Sequence, residues 1–348
     1  VPSAPALADL TTLGVGGPAR RLVEATSADE LVAAVRAADA ADEPVLLVAG
    51  GSNLLISDDG FDGTVVLVRS RGIDVVDDSS CGGVSVTVEA GHPWDEFVAH
   101  AVASGWVGVE ALSGIPGSTG ATPIQNVGAY GQEVAQTIAS VRTFDRRDGV
   151  MTTFAAGDCE FAYRDSRFKG DDRYLIVSVS FQFTVGELGA PIAYAELART
   201  LGVEVGGRAP LAQVRESVLG LRRGKGMVLD AADADTRSAG SFFTNPIVAP
   251  AVADALPDDA PRWPQPDGRV KTSAAWLIER SGFTKGYGTG PAQLSSKHTL
   301  ALTNRGQARA ADVAALADEI RRGVATSFGI VLEPEPNLVG VTLPEVEA

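Results

Sequence analysis

The chain has 348 residues, of which 45% are hydrophobic and 21% charged, and it carries a net charge of −15 at pH 7. That length allows two or three domains around a substantial core, while the acidic balance argues against a nucleic-acid partner, because binding phosphate chains needs an excess of Lys and Arg. No stretch of about 18 uninterrupted apolar residues is present to span a membrane, and VPSAPALADL (1–10) lacks the basic and apolar regions of a secretory signal.

In chain order, SADELVAAVRAADAA (27–41) reads as a helix opened by a capping box, with Ser27 three residues before Glu30. PVLLVA (44–49) is a continuous apolar run, hence a buried strand, and ends in the glycine turn GGSN. TVVLVRS (64–70) and VSVTVEA (84–90) follow as strands, the second alternating cleanly. PWDEFVAHAVASG (93–105) places Pro at the first helical position and Gly at the end of an amphipathic helix. Residues 113–131, SGIPGSTGATPIQNVGAYG, form a long irregular loop kept apolar by Ile115, Ile124 and Val127. Loops of this length inside a compact domain are usually functional.

Strands resume at 138–144 and 174–183. Beyond about 185 the composition shifts: a helix at 211–222, a loop RGKGMVLDAADADTRSAG, the segment AGSFFTNP (239–246) and an acidic Pro-rich stretch at 249–268. A helix at 271–282, a strand at 298–304, an amphipathic helix at 311–329 and a strand IVLEPE complete the order. The layout predicts a small N-terminal α/β piece, a β-rich middle and a C-terminal α/β part.

Two loops stand out chemically. In AGGSNLL (49–55) glycines let the backbone approach a ligand, and successive N–H groups can make an anion-binding concavity. Alone it reads as an ordinary tight turn between strands; with the 113–131 loop it suits an extended diphosphate cofactor. The nearest dinucleotide fingerprint, GVGGPA (14–19), follows no strand and carries Pro18 where a helix should continue, and no Walker A loop exists. Cys81 and Cys159 form no CxxC, and His92, His100 and His298 are scattered, so no zinc site is expected and the thiols read as buried or half-buried in a reducing cytosol.

FAYRDSRFKG (161–170) offers arginine forks for a carboxylate or phosphate, or a surface ion-pair cluster. RRGKG (222–226) is a basic loop or a charge-complemented helix end. Glu333 and Glu335 share a face if LEPEPNLVG (332–340) is a strand. Ser241 has no local His or Asp partner and no GxSxG elbow, which argues against a hydrolase, and its neighbourhood reads locally as a strand start.

Taken in order, LTTLGVGG, AGGSNLLISD, SGIPGSTGATPIQNVGAYG, YRDSRFK, AGSFFTNP, KTSAAWLIERSG and LEPEPNLVG resemble the UDP-N-acetylenolpyruvoylglucosamine reductase family, and IAYAEL (192–197) resembles the tyrosine loop of its longer form. The resemblance implies an α+β fold: an FAD-binding domain of the vanillyl-alcohol-oxidase type in two α/β subdomains, plus a C-terminal α/β substrate-binding domain. The expected division is 1–70 and 71–205 for the flavin part, with 331–348 packing near the first, and 206–330 for substrate.

By the same resemblance Gly50, Gly51, Ser52, Asn53 and Leu54 hold the FAD diphosphate, and Ser113, Gly114, Ile115, Gly120, Ala121, Asn126 and Gly128 lie along the flavin. Asn53 stands where related oxidases can carry a tethering histidine, which implies non-covalent FAD. NADPH is the implied co-substrate. Hydride would reach C3 of the enolpyruvyl group and a proton C2. Arg164 would stabilise the charge developing on C2 and its carboxylate, Ser241 would deliver the proton, and Glu335 would position or polarise the intermediate.

Tyr163, Tyr194, Lys225, Asn245 and His298 would bind the UDP-sugar. The loop after Lys225 looks longer than the family's commoner version, and His298 stands where some members have Gln. A monomeric enzyme in the cytoplasm, with no nucleic-acid partner, is expected. Another FAD-dependent oxidase or lactone dehydrogenase of the same flavin fold is the alternative, and a non-catalytic UDP-sugar-binding protein is a third reading.

Overall fold

The computed structural model describes residues 6–79 and 83–347, so Cys81 lies outside the described residues. The chain divides into two compact units, one made of Val1–Ala19, Gly51–Phe61 and Lys225–Ala348, the other of Arg20–Gly50 and Asp62–Gly224.

Among the described residues the second unit is built chiefly on a three-stranded and a larger sheet. In a three-stranded sheet, Phe61–Val68 lies between Ala19–Ala25 and Val45–Val48, and it pairs in parallel with the latter from Val45↔Thr64 to Val48↔Leu67. The helix Ala28–Ala40 precedes that parallel strand, capped as its sequence predicts: the Ser27 hydroxyl accepts from the Glu30 N–H, and the Glu30 carboxylate reaches back to Thr26. Its buried stripe is Leu31, Val35 and Ala38, the spacing of one helical face.

The larger sheet is antiparallel. Tyr174–Val185 lies between Ile138–Asp145 and Gly83–Glu89, with Val150–Ala155 and Ile73–Ser79 outermost. Central strands are buried on both faces and therefore read as apolar runs; Leu175 to Val179 are all buried. The helix Trp94–Ala103 sets Trp94 and Phe97 against Phe181 and Phe183, with ring centroids 5.1–6.2 Å apart. Each such side chain removed from water contributes about 1.5–3 kcal/mol. This slab is the rigid support beneath the 113–131 loop.

In the first unit the helix Ala310–Phe328 buries Val313, Leu316, Ala317, Ile320 and Val324, and ends at Gly329 in a left-handed conformation (φ 63°). The Asp58 carboxylate accepts from the Ala310 and Ala311 N–H groups at its start. Leu54–Ile56 pairs in parallel with Asn337–Val339, and Ala292–Leu294 pairs with Leu302–Asn304.

Several elements differ from expectation. Pro93 is the residue before the helix rather than its first turn. The predicted helix 271–282 covers only Ala274–Arg280, because Ser273 caps it through the Trp276 N–H and Val270–Thr272 pairs with Arg262–Pro264. The predicted strand 298–304 shrinks to Leu302–Asn304, since the Ser295 hydroxyl accepts from Lys297 and His298 and turns the chain there. IVLEPE is not a ladder strand: Pro334 and Pro336 lack an N–H, so regular pairing starts at Asn337. Leu47 in PVLLVA is 39% exposed, so that run is buried only on alternate residues.

Candidate active site

In the second unit the two glycine-rich segments meet. A Cβ on Gly50 would lie 2.6 Å from Cα of Gly117, with that residue's nitrogen and carbonyl carbon at 3.2 and 3.1 Å. The turn opened by Gly50 therefore abuts the 113–131 loop backbone to backbone. The loop is stitched down along its first half: Gly120 donates to the Ala90 carbonyl (2.8 Å), Thr119 to that of His92 (2.9 Å), and Trp94 to that of Gly117 (3.0 Å). Ser113 is buried with its hydroxyl on the Glu110 carbonyl, Ile115 packs against the core, and Ala121 is exposed.

Gly114 donates its N–H to Asp95 (2.6 Å), whose carboxylate also takes a bidentate pair of bonds from Arg215 at 2.6 and 2.9 Å. Burial works against this charge, but the bonds from Arg215 and Gly114 prevail and hold its pKa below the ordinary carboxylate value. Asp95 thus fixes the loop's start to two helices, Trp94–Ala103 and Leu211–Gly224.

The YRDS segment is docked on the same loop. Residues 162 and 165 close a tight antiparallel bridge. The buried Asn126 amide donates to the Ala162 carbonyl and to Glu133, both at 3.0 Å, and accepts from Ala135. Ser166 donates to the Ile124 carbonyl (2.7 Å). The Arg164 guanidinium donates to the carbonyls of Gly128 (2.7 Å) and Asn126 (3.4 Å) and lies near the Tyr163 ring. Asn126, Tyr130 and Arg164 all have positive φ (45°, 50° and 53°). For residues with a Cβ this costs roughly 1–2 kcal/mol each and clusters at functional sites.

Tyr194 is half exposed and sits edge-on to Tyr130 at 5.6 Å. The base of its segment is pinned by the fully buried Glu110, whose carboxylate accepts from Gly108 (2.7 Å), Gln132 (2.9 Å) and Ala190 (2.6 Å).

In the first unit, Gly51 has φ 59° and a Cβ there would fall 1.8 Å from the Leu10 carbonyl oxygen. The Asn53 amide donates to the Glu335 carbonyl (3.3 Å), and the Asn53 carbonyl accepts from Asn337 (2.9 Å), where the parallel pair through Leu54 begins. The Glu335 N–H in turn donates to the Phe242 carbonyl (2.8 Å), and the Phe242 N–H donates to Leu300 (2.7 Å), two residues past His298.

Phe242 and Phe243 are fully buried with centroids 5.2 Å apart, whereas Ser241 is half exposed. Asn53, Ser241, Glu335 and His298 therefore share one hydrogen-bonded neighbourhood. Asn245 lies further off in the chain, its side-chain oxygen accepting from Ala274 at the start of a helix (2.9 Å). Lys225 immediately precedes the buried, left-handed Gly226. Ser52 is half-buried in the turn beside Asn53.

Sequence reading missed Asp95 and Glu110. Glu110 had a signal, a lone carboxylate inside the apolar run WVGVEAL; Asp95 had none, because its partners are 19 and 120 positions away.

Close backbone approach between glycine turns, with a strained apolar loop beside them, fits a bound diphosphate cofactor rather than a side-chain-lined metal site; among the described residues no His, Cys, Asp or Glu cluster could hold a metal. The class is that of a flavoprotein oxidoreductase: residues 19–155 match the model of an FAD binding domain. Residues 232–339 match that of the UDP-N-acetylenolpyruvoylglucosamine reductase C-terminal domain.

Proteins named UDP-N-acetylenolpyruvoylglucosamine reductase from Thermobifida fusca and Cutibacterium acnes are each 57% identical to the chain, covering 97% of it and 97% and 90% of themselves. The crystal structure of the reductase from Thermus caldophilus is similar with a TM-score of 0.65 at 26% identity, over 96% of this chain and 97% of that one. The chain belongs to the UDP-N-acetylenolpyruvoylglucosamine reductase family, and it is an FAD-dependent oxidoreductase.

Proposed function

We propose the following residue roles for the reaction this chain performs, the NADPH-dependent reduction of UDP-N-acetylglucosamine enolpyruvate to UDP-N-acetylmuramate through bound FAD in peptidoglycan precursor synthesis. When bound, FAD takes hydride from NADPH and supplies it to the enolpyruvyl group. The other flavin-fold oxidases and lactone dehydrogenases are not favoured, because the match extends through the reductase C-terminal domain.

Gly50, Gly51, Ser52, Asn53 and Leu54 hold the diphosphate through backbone N–H groups, and Ser113, Gly114, Ile115, Gly120, Ala121, Asn126 and Gly128 shape the flavin's bed. With Asn53 at the end of the turn, the cofactor is held non-covalently. Asn126, its amide committed to Ala162, Ala135 and Glu133, acts chiefly by carrying Arg164.

Arg164 meets the carboxylate of the substrate as charge develops at C2. A guanidinium has five N–H donors in a rigid fork, enough both to be held by backbone carbonyls and to meet a carboxylate. Ser241 donates its hydroxyl proton to C2: an alcohol is a weak acid, but a carbanionic centre is a far stronger base than the alkoxide formed. Glu335, whose N–H donates to the Phe242 carbonyl, positions or polarises the intermediate, and the serine alkoxide regains its proton from water.

The observation that carries this assignment is the Phe242 backbone, bonded to Glu335 on one side and Leu300 on the other. The two buried phenylalanines fix the rotamer of the half-exposed serine before them. Tyr163, Tyr194, Lys225, Asn245 and His298 bind the UDP-sugar. We place the enzyme in the cytoplasm as a monomer, with 1–70 and 71–205 serving FAD and 206–330 serving substrate.

The test is anaerobic titration of the purified holoprotein. NADPH should bleach the flavin absorbance, and enolpyruvyl UDP-N-acetylglucosamine should restore it stoichiometrically. A flavin that stays bleached after the enolpyruvyl UDP-sugar is added would reject the reading.

A further inference from the structure

The loop after Lys225 is closed on itself and clipped to the turn that carries His298. Thr236 donates its hydroxyl to the carbonyls of Asp230 and Asp233, both at 2.8 Å, and the Asp233 side chain accepts from the Asp235 N–H (3.0 Å). From this knot two carboxylates reach residues 295–298. Asp233 meets the Lys297 ammonium at 2.5 Å. Asp235, only 5% exposed, accepts from the Ser296 N–H (2.8 Å), the Ser296 hydroxyl (2.6 Å) and Arg305 (2.8 Å).

The same Asp235 forms the floor under Gly226. A Cβ on Gly226 would lie 3.1 Å from both the Asp235 Cβ and its carbonyl oxygen. One residue therefore touches both the glycine that follows Lys225 and the turn that leads into His298. That turn continues through Leu300 to the Phe242 backbone, next to Ser241.

We propose that Asp235 is a positioning residue that locks the Lys225 loop to the His298 turn, so that both side chains face the UDP-sugar at a fixed spacing. The proposal rests on the reading of Lys225 and His298 as substrate-binding groups. On this reading the long acidic loop is a strut between two substrate-binding segments rather than a solvent excursion. A buried carboxylate with three hydrogen-bond donors has one geometry, and a strut needs that more than it needs net stability.

The experiment uses the FAD-loaded enzyme and separates the half-reactions by stopped-flow absorbance. Asp235→Asn should raise the KM for enolpyruvyl UDP-N-acetylglucosamine by about 5- to 20-fold, the range of coupling through one packed neighbour. The rate of flavin bleaching by NADPH should stay within about 2-fold, which a general loss of structure would not allow. Ser296→Ala, which removes one bond to Asp235 at an exposed residue, should shift KM in the same direction by less and covers the case in which Asp235→Asn folds poorly.

In a Lys225→Met, His298→Ala background, adding Asp235→Asn should change KM by less than about 2-fold, because the groups it positions are gone. Unchanged KM in both Asp235→Asn and Ser296→Ala, an equal fall in both half-reactions, or a fully additive effect in that background would overturn the proposal. If Lys225→Met and His298→Ala themselves left KM unaltered, the substrate-site reading would fail; if they raised it while Asp235→Asn did not, only the strut would fail.

Discussion

Gly50→Ala offers a sharp test of how the cofactor cradle is built. The new methyl carbon would sit 2.6 Å from the Gly117 Cα, whereas carbon atoms in contact prefer about 3.5–4.0 Å. The two backbones must part by roughly 1 Å, and no flexible side chain is present to absorb the shift. Overpacking of this kind costs about 1–3 kcal/mol, and a backbone-on-backbone clash belongs at the upper end. If FAD is held by N–H groups of both segments, about 3 kcal/mol corresponds to a loss of affinity on the order of 100-fold.

Apoprotein titrated with FAD, followed by quenching of flavin fluorescence, measures this directly. Gly157→Ala is the matched control, since a Cβ there meets nothing within 4 Å. A Gly50→Ala protein that binds FAD within 2-fold of the parent would refute the idea that the two turns form one cradle.

Other outcomes follow from the geometry of the second unit. Asp95→Asn removes the charge that joins Gly114 to Arg215; after discount for its partial exposure the loss is about 1–2 kcal/mol at pH 7. Because the Asp95 pKa is depressed in the folded protein, this contribution is fully present above the unfolded value near 4 and fades as pH falls through the folded value. Thermal melts of the two proteins should therefore converge at acid pH, and a gap unchanged with pH would contradict the ion pair.

Asn126→Ala leaves the Ala162 carbonyl and Ala135 N–H without their partner, so chemical denaturation should show a loss of about 2–3 kcal/mol, with substrate-driven reoxidation slowed more than NADPH-driven reduction. Cys159, whose thiol burial pushes up to about 11, should resist iodoacetamide at pH 8 in the native protein, as peptide mapping would reveal.

Much of the site was legible because it is written in short motifs. Alone, the Gly50 turn reads as an ordinary tight turn and the 113–131 loop as a functional loop without a stated ligand; that they touch at Gly117 follows only from folding strands at 45–48 and 61–68 beside the larger sheet. Helices with caps and one apolar stripe, such as Ala28–Ala40 and Ala310–Phe328, were clear from local signals. The IVLEPE segment reads as a strand from its apolar start, but Pro334 and the Pro336 that follows it cannot donate to a ladder. Asp95, bonded to residues 19 and 120 positions away, and Asp235, bonded to residues 61 and 70 away, leave almost no local trace, whereas Glu110 shows as a lone carboxylate in an apolar run.

Ser241 carries the account's central claim, and one measurement tests it most directly: rapid-mixing rates of the two half-reactions in Ser241→Ala holoenzyme. Flavin reduction by NADPH should proceed at the parent rate, and reoxidation by enolpyruvyl UDP-N-acetylglucosamine should slow by about 10²- to 10⁴-fold, the span of a lost general acid. Both half-reactions running at the parent rate would show that the proton comes from elsewhere.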